Sequence, residues 1–171
     1  RTEVGALTTD DQGKAEELNK FFSSVCSEED TENIPMMEQA YGGPVLSDVD
    51  ITTEVVRGKM ARLRACSAAG PDGVHPRILK ETADTLSPQL ARLFRASMDT
   101  GTLPSDWKLA DVVPIYKKGV KSDPGNYRPV SLTAVPCKVM EAIVRDQLMA
   151  HLQAENLLSD AQHGFRPGRS C

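Results

Sequence analysis

The chain has 171 residues, 40% hydrophobic and only 5% aromatic, so one domain-sized core is within reach and Leu, Val, Ala and Met must fill it. Its net charge of -4 argues, taken alone, against a nucleic-acid partner, but the charge is unevenly spread. Residues 1–56 carry 3 basic and 13 acidic side chains, net -10, whereas residues 57–171 carry 17 basic and 11 acidic, net +6, an asymmetry that hints at nucleic-acid contact. No run approaches the roughly 18 apolar residues of a membrane span. Arg1–Asp10 has no apolar signal segment and no starting Met, so the sequence reads as a fragment. Cys26, Cys66, Cys137 and Cys171 are too scattered for a C-x-x-C pair or zinc site, and reduced thiols in an intracellular protein, cytoplasmic or nuclear, are expected.

In chain order, Asp11–Cys26 reads as a helix with Ala15, Leu18, Phe22 and Val25 on one face. Its adjacent acids Asp10 and Asp11 suit a helix start. Ser27–Gly43 reads as an acidic linker. A second helix is expected over Thr52–Ala65, with Val56, Met60 and Leu63 inward and Arg57, Lys59, Arg62 and Arg64 outward. Those cations are either a solvated face or a phosphate-facing one. Ala69–Gly73 is a turn, followed by a short helix over Arg77–Leu86. Ser87 and Pro88 suit the start of a further helix that ends at Gly101, with Leu90, Leu93, Phe94 and Met98 as its buried stripe. Trp107 is expected to be buried. Asp111–Tyr116 and Tyr127–Leu132 read as strands joined by the basic loop Lys117–Asn126, and Pro114 and Pro129 place both at a sheet edge. A long helix over Pro136–Glu155 turns Val139, Met140, Ile143, Leu148 and Leu152 inward.

Three segments in this order carry a resemblance: AAGPDGV around Ala69–Gly73, WKLADVVPIYKKG to NYRPVSL over Trp107–Leu132, and QHGFRPGRSC over Gln162–Cys171. Together they resemble the N-terminal part of the reverse transcriptase of jockey-like non-LTR retrotransposons. Lys14–Val25 also resembles the stretch preceding that polymerase. The resemblance implies a helix-rich α+β fold: an acidic helix and linker over residues 1–50, then a partial reverse transcriptase domain over 51–171. The latter would comprise N-terminal extension helices and partial fingers with a basic β-hairpin. The parent enzyme would be an RNA-directed DNA polymerase that acts on an RNA template, a DNA primer and deoxynucleoside triphosphates. It would use Mg2+ held by palm aspartates. Those aspartates follow the GFR segment in the family, so this chain, lacking the palm and thumb, is expected to hold no metal and no catalytic residue, and to be inactive alone.

The resemblance also places the candidate site. Arg128, in the Arg-Pro motif, would fork onto the triphosphate of the incoming nucleotide; the alternative is a solvated charge or a pair with Asp123. Of Lys117 and Lys118, strand alternation lets only one point with Arg128, and the sequence leaves the choice open. Pro129 would lie near the templating base, or only hold the hairpin. Gly70 and Gly73 would grip the RNA template through close backbone approach, or form a tight turn. Arg166 and Arg169 would touch template backbone. The competing reading is a noncatalytic nucleic-acid-binding module from a decayed or repurposed element; a plain α-rich interaction domain leaves the basic hairpin unexplained.

Overall fold

A computed structural model of the chain describes residues 8–26, 42–159, 161–164 and 168. They divide into two units that do not follow chain order: residues 8–26 with 110–132, and residues 42–109 with the described part of 133–171. The larger unit holds helices α2 (Thr53–Ala61), α3 (Pro76–Glu81), α4 (Ala83–Thr100) and α5 (Val135–Ala154). The smaller holds helix α1 (Asp11–Ser24) and the hairpin formed by β1 (Ala110–Tyr116) and β2 (Tyr127–Thr133).

Among the described residues, the buried apolar side chains all belong to the larger unit, where Val56, Met60, Phe94 and Ile143 are almost fully enclosed. Thr52 opens α2, its side chain accepting from the Val55 N–H. The helix ends at Ala61, short of the expected Ala65, because the Arg62 and Leu63 amides bond three residues back and tighten the chain into a turn. Of its cations, Lys59 pairs with Asp146 of α5 and Arg57 lies 3.6 Å from Asp84 of α4, while Arg62 and Arg64 are exposed. The segment before α2 is held from both sides. Arg95 donates to the Asp48 carboxylate at 2.7 Å and to the Val49 carbonyl at 2.8 Å. Gln147 exchanges a reciprocal pair of bonds with the Asp50 backbone, both 2.7 Å. The Arg95 guanidinium and the Val49 amide hold the Asp48 carboxyl below the usual carboxylate range.

Helix α4 departs from the sequence expectation. It begins at Ala83, so Ser87 is an interior, fully buried residue rather than a cap, and Pro88 lies inside the helix. The missing Pro88 N–H would have bonded the carbonyl of Asp84, which is at the exposed helix start where water can serve it. Its buried stripe is Ala83, Ser87, Ala91, Phe94 and Ser97, and Leu93 and Met98 are exposed. Phe94 is the one large side chain on that stripe, and Leu86 and Leu90 pack partly against the same core. Gly101 does end the helix, in the left-handed conformation at φ 63°. Trp107 is buried with its ring edge-on to Phe94, centroids 5.7 Å apart. In α5, Val139, Met140 and Ile143 are buried as expected, whereas Leu148 is exposed. The Cys137 thiol, also buried, is pushed up to about 11 by desolvation and the nearby Glu141 carboxylate.

Two outcomes follow from this packing. A Cβ added at Gly70 would meet the Thr133 carbonyl oxygen at 2.5 Å, whereas one at Gly58, in α2, meets nothing within 4 Å. Gly70→Ala therefore lowers stability by about 1–3 kcal/mol, and Gly58→Ala raises it by up to about 1 kcal/mol, both read from urea unfolding. The second concerns acid. Lys59 and Arg145 hold the Asp146 carboxyl below its ordinary value, so its contribution is present above the unfolded value and is lost as pH falls through the depressed folded one. With Asp146 half exposed, that contribution is about 0.2–1 kcal/mol. The stability difference between the parent chain and Asp146→Asn is expected to shrink as pH falls through the ordinary carboxylate range and below it.

Candidate nucleic-acid interface

The basic hairpin is built from a single register. The Lys117 N–H donates to the Asn126 carbonyl at 2.8 Å just past the strand ends, a bond that fixes the antiparallel register. Carried down the strands, this pairing sets Tyr116 opposite Tyr127, Ile115 opposite Arg128 and Pro114 opposite Pro129. The tyrosine rings agree, with centroids 5.5 Å apart. Pro114 and Pro129 then share a non-hydrogen-bonded pair, where the missing N–H groups would have pointed away from the partner strand. In a two-stranded sheet that side is an open edge, so the prolines cost no ladder bond. This is why two apparent strand breakers sit inside these strands.

The same register sorts the charges. Alternation puts Lys117, Ile115 and Val113 on one face with Arg128, and Tyr116, Pro114, Tyr127 and Pro129 on the other. Lys117, the residue next after β1 and held to Asn126 by its N–H, continues that alternation onto the face of Arg128, and Lys118 lies in the loop. All three cations are exposed, and none has an ion pair with a described residue. Asp123 is not the partner of Arg128. Its carboxylate instead accepts from the Gly125 N–H at 2.9 Å and from the Asn126 side chain at 3.4 Å.

The tyrosine face organises the loop. Tyr116 donates its hydroxyl to the Gly119 carbonyl at 2.7 Å, and Tyr127 to the Lys121 carbonyl at 2.9 Å. Lys121 lies over the Tyr116 ring, its ammonium 5.8 Å from the centroid. Asn126 donates from its side chain to the Val120 carbonyl at 2.9 Å. Gly119 adopts φ 98° directly beside Asn126, where an added Cβ would lie 2.7 Å from that side chain. The two tyrosines and Asn126 were not singled out from sequence. A tyrosine at each inner strand end was the available signal, and only the register reveals that they pair.

Of the remaining sequence candidates, Gly70 is buried and its close backbone neighbour is Thr133–Ala134 of this same chain. Its amide neighbour Gly73 closes a turn, N–H to the Gly70 carbonyl at 3.0 Å, and is exposed at φ 67°. Pro129 is exposed on the tyrosine face. Arg166 and Arg169, with Phe165 and Cys171, lie outside the described residues. Among the described residues, no three His, Cys, Asp or Glu side chains come together as a metal site. The adjacent pair Asp10 and Asp11 is committed elsewhere: Asp10 caps α1 through the Gly13 N–H at 2.8 Å, and Asp11 pairs with Lys14 at 2.8 Å. These residues do not fit a pair of catalytic metals. Among the described residues, no helix is long and apolar enough to cross a membrane.

Residues 115–171, which begin within β1, match the family described as reverse transcriptase (RNA-dependent DNA polymerase). The chain is 31% identical to the RNA-directed DNA polymerase from mobile element jockey of Drosophila melanogaster, over 68% of this chain and 13% of that protein. It is 31% identical to the putative 115 kDa protein in type-1 retrotransposable element R1DM of the same fly, over 89% of this chain and 14% of that protein. A third relative is the retrovirus-related Pol polyprotein from type-1 retrotransposable element R1 of Bradysia coprophila, 26% identical over 90% of this chain and 15% of that protein. This chain belongs to the reverse transcriptases of non-LTR retrotransposons. It spans about one seventh of the length of these curated relatives, and corresponds to a portion of such a reverse transcriptase.

Within that reverse transcriptase portion, the hairpin loop depends on Asn126. Asn126→Ala is expected to cost the loop about 0.5–1.5 kcal/mol for the lost bond to Val120, read as faster amide exchange at Lys117 with the α5 amides unchanged.

Proposed function

We propose that this chain supplies phosphate contacts to an RNA-directed DNA polymerase through the hairpin face that carries Arg128 and Lys117, and supplies no catalytic group itself. The observation that carries this reading is the placement of two exposed cations on one strand face, without a carboxylate partner among the described residues. A guanidinium forks onto two phosphate oxygens, and a neighbouring ammonium adds a point charge. Together they suit the triphosphate of an incoming deoxynucleotide. Lys118 and Lys121 take secondary roles, Lys121 because it is engaged with Tyr116.

RNA template and DNA primer are the remaining partners in this reading. Exposed Gly73, Pro129, Arg62 and Arg64 are candidate template contacts, as are Arg166 and Arg169. Gly70 acts indirectly, by letting the turn over Ala69–Gly73 sit against the start of α5. The division proposed is an acidic segment through residue 50, followed by a partial reverse transcriptase domain with N-terminal extension and fingers. The Mg2+ ions, palm and thumb belong to the parent polymerase. Action inside the cell is part of this reading.

Filter binding of single-stranded RNA across a salt series tests the proposal. Affinity is expected to fall steeply with salt, and the combined Lys117→Glu and Arg128→Glu variant to lower the slope by about one to two. Lys118→Glu is expected to have the smaller effect of the two lysine reversals. Binding without salt dependence, or unaltered by the double reversal, overturns the phosphate reading. Primer extension by this chain alone overturns the noncatalytic one.

A further inference from the structure

The matched segment begins at residue 115, yet the hairpin is packed by residues nearly a hundred positions earlier. Helix α1 lies against the turn over Pro124–Asn126. A Cβ built on Gly125 would sit 3.6 Å from the tip of the Phe21 ring. Leu18 and Ala15 of α1 line a cavity of about 480 Å³ whose opposite wall is Pro114, Pro124 and Tyr127. Every one of these strand contacts falls on the tyrosine face. The face that carries Lys117 and Arg128 is the other one.

Among its described residues, the smaller unit also has no core of its own to stabilise the hairpin. None of its described residues is buried, and α1 itself buries no side chain completely. Ala15 and Val25, expected on the inner face of the helix, are exposed, and the half-buried apolar side chains are Leu18, Phe21 and Phe22. A two-stranded hairpin by itself is marginal in water and needs a third element packed on one face. In this unit α1 is that element.

We infer that α1 is a brace for the basic hairpin: Phe21 and Leu18 hold the Pro124–Asn126 turn and Tyr127 from behind, and so determine where Lys117 and Arg128 present their charge. Phe21 and Leu18 are positioning residues, acting through Tyr127 and Gly125, and touch no substrate. The part of this inference that concerns binding rests on the phosphate-contact reading above; the part that concerns hairpin order stands apart from it. It makes a helix outside the matched segment a determinant of how well that segment binds.

The test uses the full chain with Phe21→Ala, Leu18→Ala, the conservative Phe21→Leu, and Asn19→Ala at an exposed position of the same helix as control. Site-resolved amide exchange is read at Lys117 and Gly125 in the hairpin and at Ile143 in α5, beside RNA binding across salt. Phe21→Ala and Leu18→Ala are expected to speed exchange at Lys117 and Gly125 about tenfold, with Ile143 unchanged. RNA affinity should fall several-fold at constant salt slope, since the number of phosphate contacts is kept. Phe21→Leu should recover most of both, and Asn19→Ala should alter neither. Unchanged hairpin exchange in both alanine variants overturns the brace. So does a uniform rise that includes Ile143, because α1 would then support the whole fold rather than the hairpin. A parent chain that binds no RNA at low salt overturns the phosphate-contact reading, while the exchange data still decide the brace.

Discussion

The close approach of α4 to α2 is the constraint on which the larger unit depends. Ala83, Ser87 and Ala91 are small residues on the stripe of α4 that encloses Phe94 completely, and Ser97, farther along it, donates its hydroxyl to the Thr102 carbonyl. Phe94 in turn gives Trp107 an edge-on partner, and Trp107 closes the chain just before it enters β1. Larger residues on that stripe would push the helices apart and open space around Phe94, with the loss of contact that a void brings. The reciprocal bonds of Gln147 with Asp50, and of Arg95 with Asp48 and Val49, then tie the leading segment to α5 and α4.

In the smaller unit a single ladder bond has a comparable reach. Once the Lys117 N–H meets the Asn126 carbonyl, every strand residue is assigned a face. Tyr116 and Tyr127 are brought together to organise the loop, the two prolines are placed where no N–H is required, and Lys117 is placed with Arg128. A slip of one residue would scatter all of these at once. The tyrosine face shares a cavity with α1, and the face that carries Lys117 and Arg128 is exposed.

Much of this was legible beforehand. The bounds of the long C-terminal helix and of the hairpin, the left-handed cap at Gly101 and the burial of Trp107 follow from local pattern and turn chemistry. The family was legible too, because motif order and spacing are linear properties of the chain. The choice of buried stripe on α4 was not. Leu93 and Met98 are the more hydrophobic residues, but the buried face carries Ala91 and Ser97, the latter bonded to the Thr102 carbonyl, and which face is buried is settled by contact with other elements. Ser87 and Pro88 carried a strong helix-start signal, yet Thr82 interrupts the chain earlier, its hydroxyl turned back onto the Ile78 carbonyl at 2.7 Å.

By itself, then, the sequence determined the order of helices and strands, the separation of acidic and basic regions, and membership among the retrotransposon reverse transcriptases. These depend on residues near one another along the chain, where local sterics and periodicity act. Only the tertiary structure decided that Lys117 rather than Lys118 faces with Arg128, that Gly70 admits the chain's own Thr133–Ala134 backbone, and that α1 joins the hairpin across nearly a hundred residues. Each of these is a contact between distant segments. No local propensity encodes such a contact; it arises when pairing register and side-chain volume are satisfied together in space.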